Sequence, residues 1–142
     1  MQVAADLAAR RPPEAEWTLA SGTLRDGRPI IFRTRIWARW LDRPLLDLHS
    51  RVTLNYRARP DGLPDEEESA RLEAAEDRLV AAVGAFAELV TVTTGGGQRA
   101  FDLYSDSEDQ NHASAVEHIA REIRATVSQS LDPTWKRGRV LE

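Results

Sequence analysis

The run LHSRVTLNYRA, residues 48–58, alternates: Val52, Leu54 and Tyr56 are apolar, and Arg51, Thr53 and Asn55 between them are polar. Successive side chains on a strand point to opposite faces, so this spacing predicts a strand with one buried and one polar face. PDGLPDEEE follows, a turn that leads to Asp65 with Glu68 three residues on. That is a capping-box-like helix start, with acids at the positive end of the helix dipole. The helix is predicted to run to about Ala87 with Leu72, Leu79, Val83 and Phe86 as its apolar stripe. Two strand-like runs, 88–94 and 98–105, flank Gly95-Gly96-Gly97 as a hairpin. A second helix after Asn111 turns Val116, Ile119, Ala120 and Ile123 inward, and Thr126 to Leu131 makes a last strand that Asp132-Pro133 breaks.

Strand, helix, hairpin, helix, strand is the split βαβ order. It predicts an α+β, ferredoxin-like sandwich: an antiparallel sheet with two helices on one face. Upstream, EWTLASGTL (16–24) and the run 30–37 enclose Arg25-Asp26-Gly27-Arg28-Pro29, which adds an N-terminal β-hairpin that must extend or cover the sheet. The expected layout is a tail over 1–15, one domain over 16–135 and a tail over 136–142, because 142 residues fit one core and not two. Trp135 is expected to fold back as a plug.

Composition excludes several chemistries. There is no cysteine, hence no disulfide, thiolate zinc site or cysteine nucleophile. No apolar run approaches the roughly 20 residues that span a bilayer, and Asp6 interrupts the only apolar stretch of the N-terminus, so a signal peptide is not expected. A cytoplasmic, bacterial protein with no membrane contact is the expectation. Charge is uneven: Arg25 to Arg59 carries a balance of +6 and the remainder from Pro60 a balance of −9, within a net charge of −4. Such asymmetry can mark a nucleic-acid face, but the acidic part belongs to the same domain, so internal complementarity or self-association explains it equally well.

Two places invite function. If one sheet face packs on the helices through Val52, Leu54, Tyr56, Val90, Val92, Phe101 and Leu103, the other presents Arg51, Thr53, Asn55, Thr91, Thr93, Asp102 and Tyr104. Such a face could take a small polar ligand or a partner. The second place is Arg33-Thr-Arg35-Ile-Trp37-Ala-Arg39-Trp40, where arginines interleave with tryptophans in a pattern that could stack bases and neutralise phosphates. Nucleic-acid contact there is disfavoured, since Arg33 and Arg35 could instead pair with the acidic helix starting at Asp65. The glycine run lacks the lysine and hydroxyl of a phosphate loop. His112 and His118 lie six apart on different helix faces, and His49 beside Ser50 is geometrically poor for catalysis. No catalytic residue, metal ligand or cofactor is assigned.

Trp17, Pro29, Gly62-Leu63-Pro64, Glu76-Asp77-Arg78-Leu79, Phe101-Asp-Leu-Tyr104 and Asp132-Pro133-Thr-Trp135 occur in an order that resembles the bacterial family called domain of unknown function 695. The resemblance covers Glu16 to Trp135. It implies no activity or catalytic residues. It does imply a regulatory or binding module, by analogy with relatives that are joined to domains like the protein inhibitor of ribonuclease E. The expected function is therefore a non-enzymatic module engaging a protein partner or a second copy of itself. A small-ligand site or enzyme on the polar sheet face is the alternative, and nucleic-acid contact through residues 33–43 is a further one.

Overall fold

The computed structural model describes residues 17–35 and 43–138. Its strands are β1 (Trp17–Thr23), β2 (Pro29–Arg35), β3 (Leu48–Asn55), β4 (Glu88–Gly95), β5 (Gln98–Ser105) and β6 (Thr126–Leu131). The helices are α1 (Glu66–Val83) and α2 (Gln110–Glu122). All six strands join one antiparallel sheet in the order β1-β2-β4-β5-β3-β6. The last four form the ferredoxin-like core, and the N-terminal hairpin extends it by pairing β2 with β4.

Hairpin turns set the register. Gly96 and Gly97 both have positive φ, 60° and 81°, which a two-residue turn between Gly95 and Gln98 requires and glycine supplies without strain. The first hairpin turns at Gly27, φ 87°, with the Leu24 N–H donating to the Arg28 carbonyl at 2.8 Å.

Both helices pack on one face, where Leu72, Leu79, Val83, Val116 and Ile119 meet Val52, Leu54, Val92, Phe101 and Leu103. Asp65 caps α1 by accepting from the Glu68 N–H at 2.9 Å. The capping box is only half made, since the Glu68 carboxylate turns to the Arg57 N–H at 2.7 Å. α1 stops at Val83, earlier than the apolar stripe suggests. Gly84 caps it, and Phe86 packs on the core from the following turn, stacked on His112 at 4.2 Å.

Alternation fails at one point. The β4–β5 register shifts between Leu89 and Thr91, a bulge that puts two residues opposite one. Leu89, rather than Val90, therefore joins the helix-side core. Val90 turns to the opposite face and packs with Tyr104 and Trp135.

Candidate functional site

The face away from the helices is polar, as its alternation predicts, and antiparallel pairing brings part of it to one place. Arg51 on β3 lies opposite Asp102 on β5, His49 opposite Tyr104, and Thr91 on β4 beside Asp102. The Asp102 carboxylate is fully buried, and a single oxygen, Oδ1, lies 2.6 Å from His49 Nε2 and accepts from Arg51 Nε at 2.8 Å. Thr91 shares a hydrogen bond with Thr34 of β2 at 2.9 Å. Asn55 stands apart at the far end of β3, holding Gln98 at 3.1 Å, and Thr93 lies further along β4, opposite Ala100.

This face is closed at its Tyr104 end, and the N-terminal hairpin is not what closes it. Residues 132–138 fold back as a strap. Trp135 stacks on Tyr104 with ring centroids 4.6 Å apart and planes within 16°, and its Nε1 donates to the Leu46 carbonyl at 2.6 Å. The Tyr104 hydroxyl donates to Asp132 Oδ2 at 2.7 Å and accepts from the Gly138 N–H at 2.9 Å. Asp132 also accepts from the Lys136 and Arg137 N–H groups, at 3.1 and 2.8 Å. Thr91 donates to the Gly138 carbonyl, and Arg51 Nη2 to that of Arg137 at 3.2 Å. Only glycine fits at position 138, since a Cβ there would lie 2.8 Å from the Tyr104 ring.

Electrostatics reinforce the strap. Burial, together with the bond to the Asp132 carboxylate, pushes the Tyr104 phenol up, so it stays a donor. Burial would raise Asp132, but the Tyr104 hydroxyl and the N–H groups of Arg137 and Lys136 outweigh it and hold the carboxyl below its ordinary range. A depressed carboxyl stabilises the fold above its unfolded pKa of about 4 and loses that contribution as pH falls through the lower folded value. In urea melts from pH 7 to pH 2.5, the stability gap between wild type and Asp132→Asn should accordingly hold down to about pH 4 and close below it. A constant gap would remove Asp132 as the titrating latch.

His49, Thr34 and Asp132 belong to this cluster although sequence reasoning assigns none of them to a site, and only Asp132 falls within a family-like mark, Asp132-Pro133-Thr-Trp135. His49 has the same strand parity as Arg51, which is the signal that could have found it. Asp132 carries no local signal beyond the turn it makes with Pro133.

The arginine–tryptophan segment is described only in part, with Trp37, Arg39 and Trp40 outside the described residues. Arg33 and Arg35 lie over the Trp17 ring, 4.6 and 5.0 Å from its centroid. Arg33 pairs with Glu76 of α1, while Arg35 and Arg43 both reach Glu88, at 2.9 and 3.2 Å. These pairs join the basic stretch to the acidic one inside a single molecule. Between hairpin and α1 they border a groove of about 350 Å³ lined by Trp17, Glu76, Asp77 and Val80. Leu19 (72% exposed), Val80 (42%) and Ile31 (37%) are the large exposed apolar residues of β1, α1 and β2. Among the described residues no group of three or more His, Asp or Glu could hold a metal ion, and no helix is long and apolar enough to cross a membrane.

A family model described as "Family of unknown function (DUF695)" matches residues 15–137. The chain belongs to the DUF695 family. The DUF695 match takes in the N-terminal hairpin, the ferredoxin-like core and nearly all of the strap. No curated protein matches the chain.

Proposed function

We propose that this DUF695 protein is a non-enzymatic protein-binding module that takes an extended segment of a partner onto the free edge of β1. The observation that carries this reading is the direction of the β1 backbone groups. Leu24 and Arg28 form a hydrogen-bonded pair, and such pairs alternate along an antiparallel ladder. Thr23 and Pro29 are therefore a non-hydrogen-bonded pair, consistent with a proline that has no N–H to give. It follows that Trp17, Leu19, Ser21 and Thr23 aim their N–H and C=O groups away from β2.

No other described strand pairs with that side. Edge strands are commonly protected by charge, proline or a bulge, and β1, WTLASGT in an unbroken register, has none of them. Strand addition at such an edge takes affinity from the backbone and selectivity from neighbouring side chains, here Leu19, Ile31 and the groove beside Trp17. A ligand site at the Arg51–Asp102–Tyr104 cluster of the polar face would first have to displace the strap, and a nucleic acid would have to compete for arginines already held by Glu76 and Glu88.

A photo-cross-linking residue in place of Leu19, carried by the full chain in its host, should capture a partner that mass spectrometry identifies. That partner, once purified, should bind wild type and lose at least about tenfold in affinity for Ser21→Pro, whose ring removes an outward N–H and leaves the β1–β2 ladder intact. Equal affinity for both would exclude the β1 edge as the binding surface.

A further inference from the structure

The chemistry of the edge also suggests what can occupy it. This step rests on the edge-strand reading above. We infer that β1 pairs with β1 of a second copy, antiparallel about a two-fold axis through Ala20, so that two six-stranded sheets become one of twelve strands.

The outward-facing residues are Trp17, Leu19, Ser21 and Thr23, which are symmetric about Ala20. Rotation about that residue sets Trp17 against Thr23 of the second copy and Leu19 against its Ser21. Every hydrogen-bonded pair in this register joins two outward-facing residues, so the outward donors of one strand meet outward acceptors of the other. At the axis Ala20 faces its own copy in the close, non-hydrogen-bonded position, flanked by Thr18 and Gly22. Small side chains suit that spacing, where Cα atoms approach to about 4.5 Å.

Charge supports the same occupant. Self-pairing sets every charged side chain near its own copy, and like charges across a ladder are destabilising. β1 has no charged residue, so it escapes that penalty. The register also makes the two Leu19 side chains diagonal neighbours on one face, within reach of each other at about 7–8 Å. This gives a partner to the most exposed large apolar side chain among the described residues. β6, the other edge, leads directly into the strap, and its pairing ends at Pro133.

Two seven-residue strands with few side-chain contacts form an interface smaller than the ~1,200 Å² of stable complexes, so the dimer should be reversible. Sedimentation equilibrium of the purified full chain should show monomer and dimer exchanging with concentration. Ser21→Pro should weaken dimerisation at least about tenfold. Leu19→Lys should weaken it too, and salt should partly restore the dimer in that variant alone, because two lysines would then face each other across the axis. Circular dichroism and a melt establish that each variant is folded, and Leu19→Lys keeps the test decisive if Ser21→Pro is not.

A wild-type mass that stays monomeric up to roughly 1 mM would overturn the inference. So would a dimer that both folded variants leave unchanged. If the purified chain is monomeric while the Leu19 probe still captures a different protein in a Ser21-dependent way, self-pairing falls and the edge-strand function stands. If neither occurs, both fall.

Discussion

Trp135→Ala is expected to lower folding stability by about 3–5 kcal/mol, as for other large aromatic truncations in a packed interior. Among the described residues Trp135 is the largest fully buried side chain, although it lies near their C-terminal end. Its indole contributes the stack on Tyr104 and the bond to the Leu46 carbonyl, and its backbone sits at φ 58°, a conformation that side-chain-bearing residues rarely adopt. Alanine would keep the unfavourable backbone and lose both compensations. For a domain of this size the loss corresponds to a melting temperature lower by roughly 10–20 °C. Trp135→Phe, which keeps an aromatic face and gives up the hydrogen bond, should lose clearly less. Hydrogen exchange locates the effect: the Arg137 and Gly138 amides, which donate to Asp132 and Tyr104, should lose protection before those of β3 and β5. A melting temperature within about 2 °C of wild type would mean that the strap is decoration on a self-sufficient sheet.

The contrast between core and strap marks what this sequence reveals locally. Periodicity two in residues 48–58, the Asp65 cap and the paired glycines at 96 and 97 each act over a few residues, so the elements and their order are legible without any tertiary contact. That Trp135 folds back is expected from its size and position, but where the last seven described residues go depends on Tyr104, nearly thirty positions upstream, and Asp132-Pro133 signals only that a strand ends. The bulge at Leu89–Thr91 was hidden for a different reason. ELVTVTT is apolar or β-branched almost throughout, so no break in pattern marks the extra residue. Because β4 is covered on both faces at that point, both parities carry residues fit for burial.

The polar face was legible as a set and not as an arrangement. Parity alone groups Arg51, Asn55, Thr91, Thr93, Asp102 and Tyr104. It says nothing about which of them meet, and the register then separates Asn55 and Thr93 from the four residues near the strap. Nor does parity show cover. Arg51 keeps 45% of its side chain exposed, whereas Asp102 and Tyr104 are shut away. On β2, the acidic partners of Arg33 and Arg35 were foreseeable in kind, since a basic hairpin beside an acidic helix pairs where geometry allows. That Glu88 of β4 would take Arg35 required the β2–β4 pairing.

Asp102→Ala should cost about 3 kcal/mol, and Arg51→Ala no more than about 1 kcal/mol. The asymmetry follows from solvent access. Without Asp102, the His49 Nε2 loses its buried partner in a place water does not reach, and the Arg51 guanidinium loses the acceptor that holds it against the sheet. Without Arg51, Asp102 keeps His49, and the vacated position lies at the edge of solvent. A double-mutant cycle between His49→Ala and Asp102→Ala should return a coupling of about 1–3 kcal/mol, and one between Arg51→Ala and Asp102→Ala clearly less. Urea unfolding with a common m-value measures all of these. Equal costs for Arg51→Ala and Asp102→Ala would show that the cluster is one cooperative ion network and not a buried pair with an attached surface arginine. The ranking also bears on function. If Asp102 and His49 act as interior structure, only Arg51 among the clustered residues has a side chain free to meet a second molecule. Any binding assigned to this cluster must then respond to Arg51→Ala at unchanged stability.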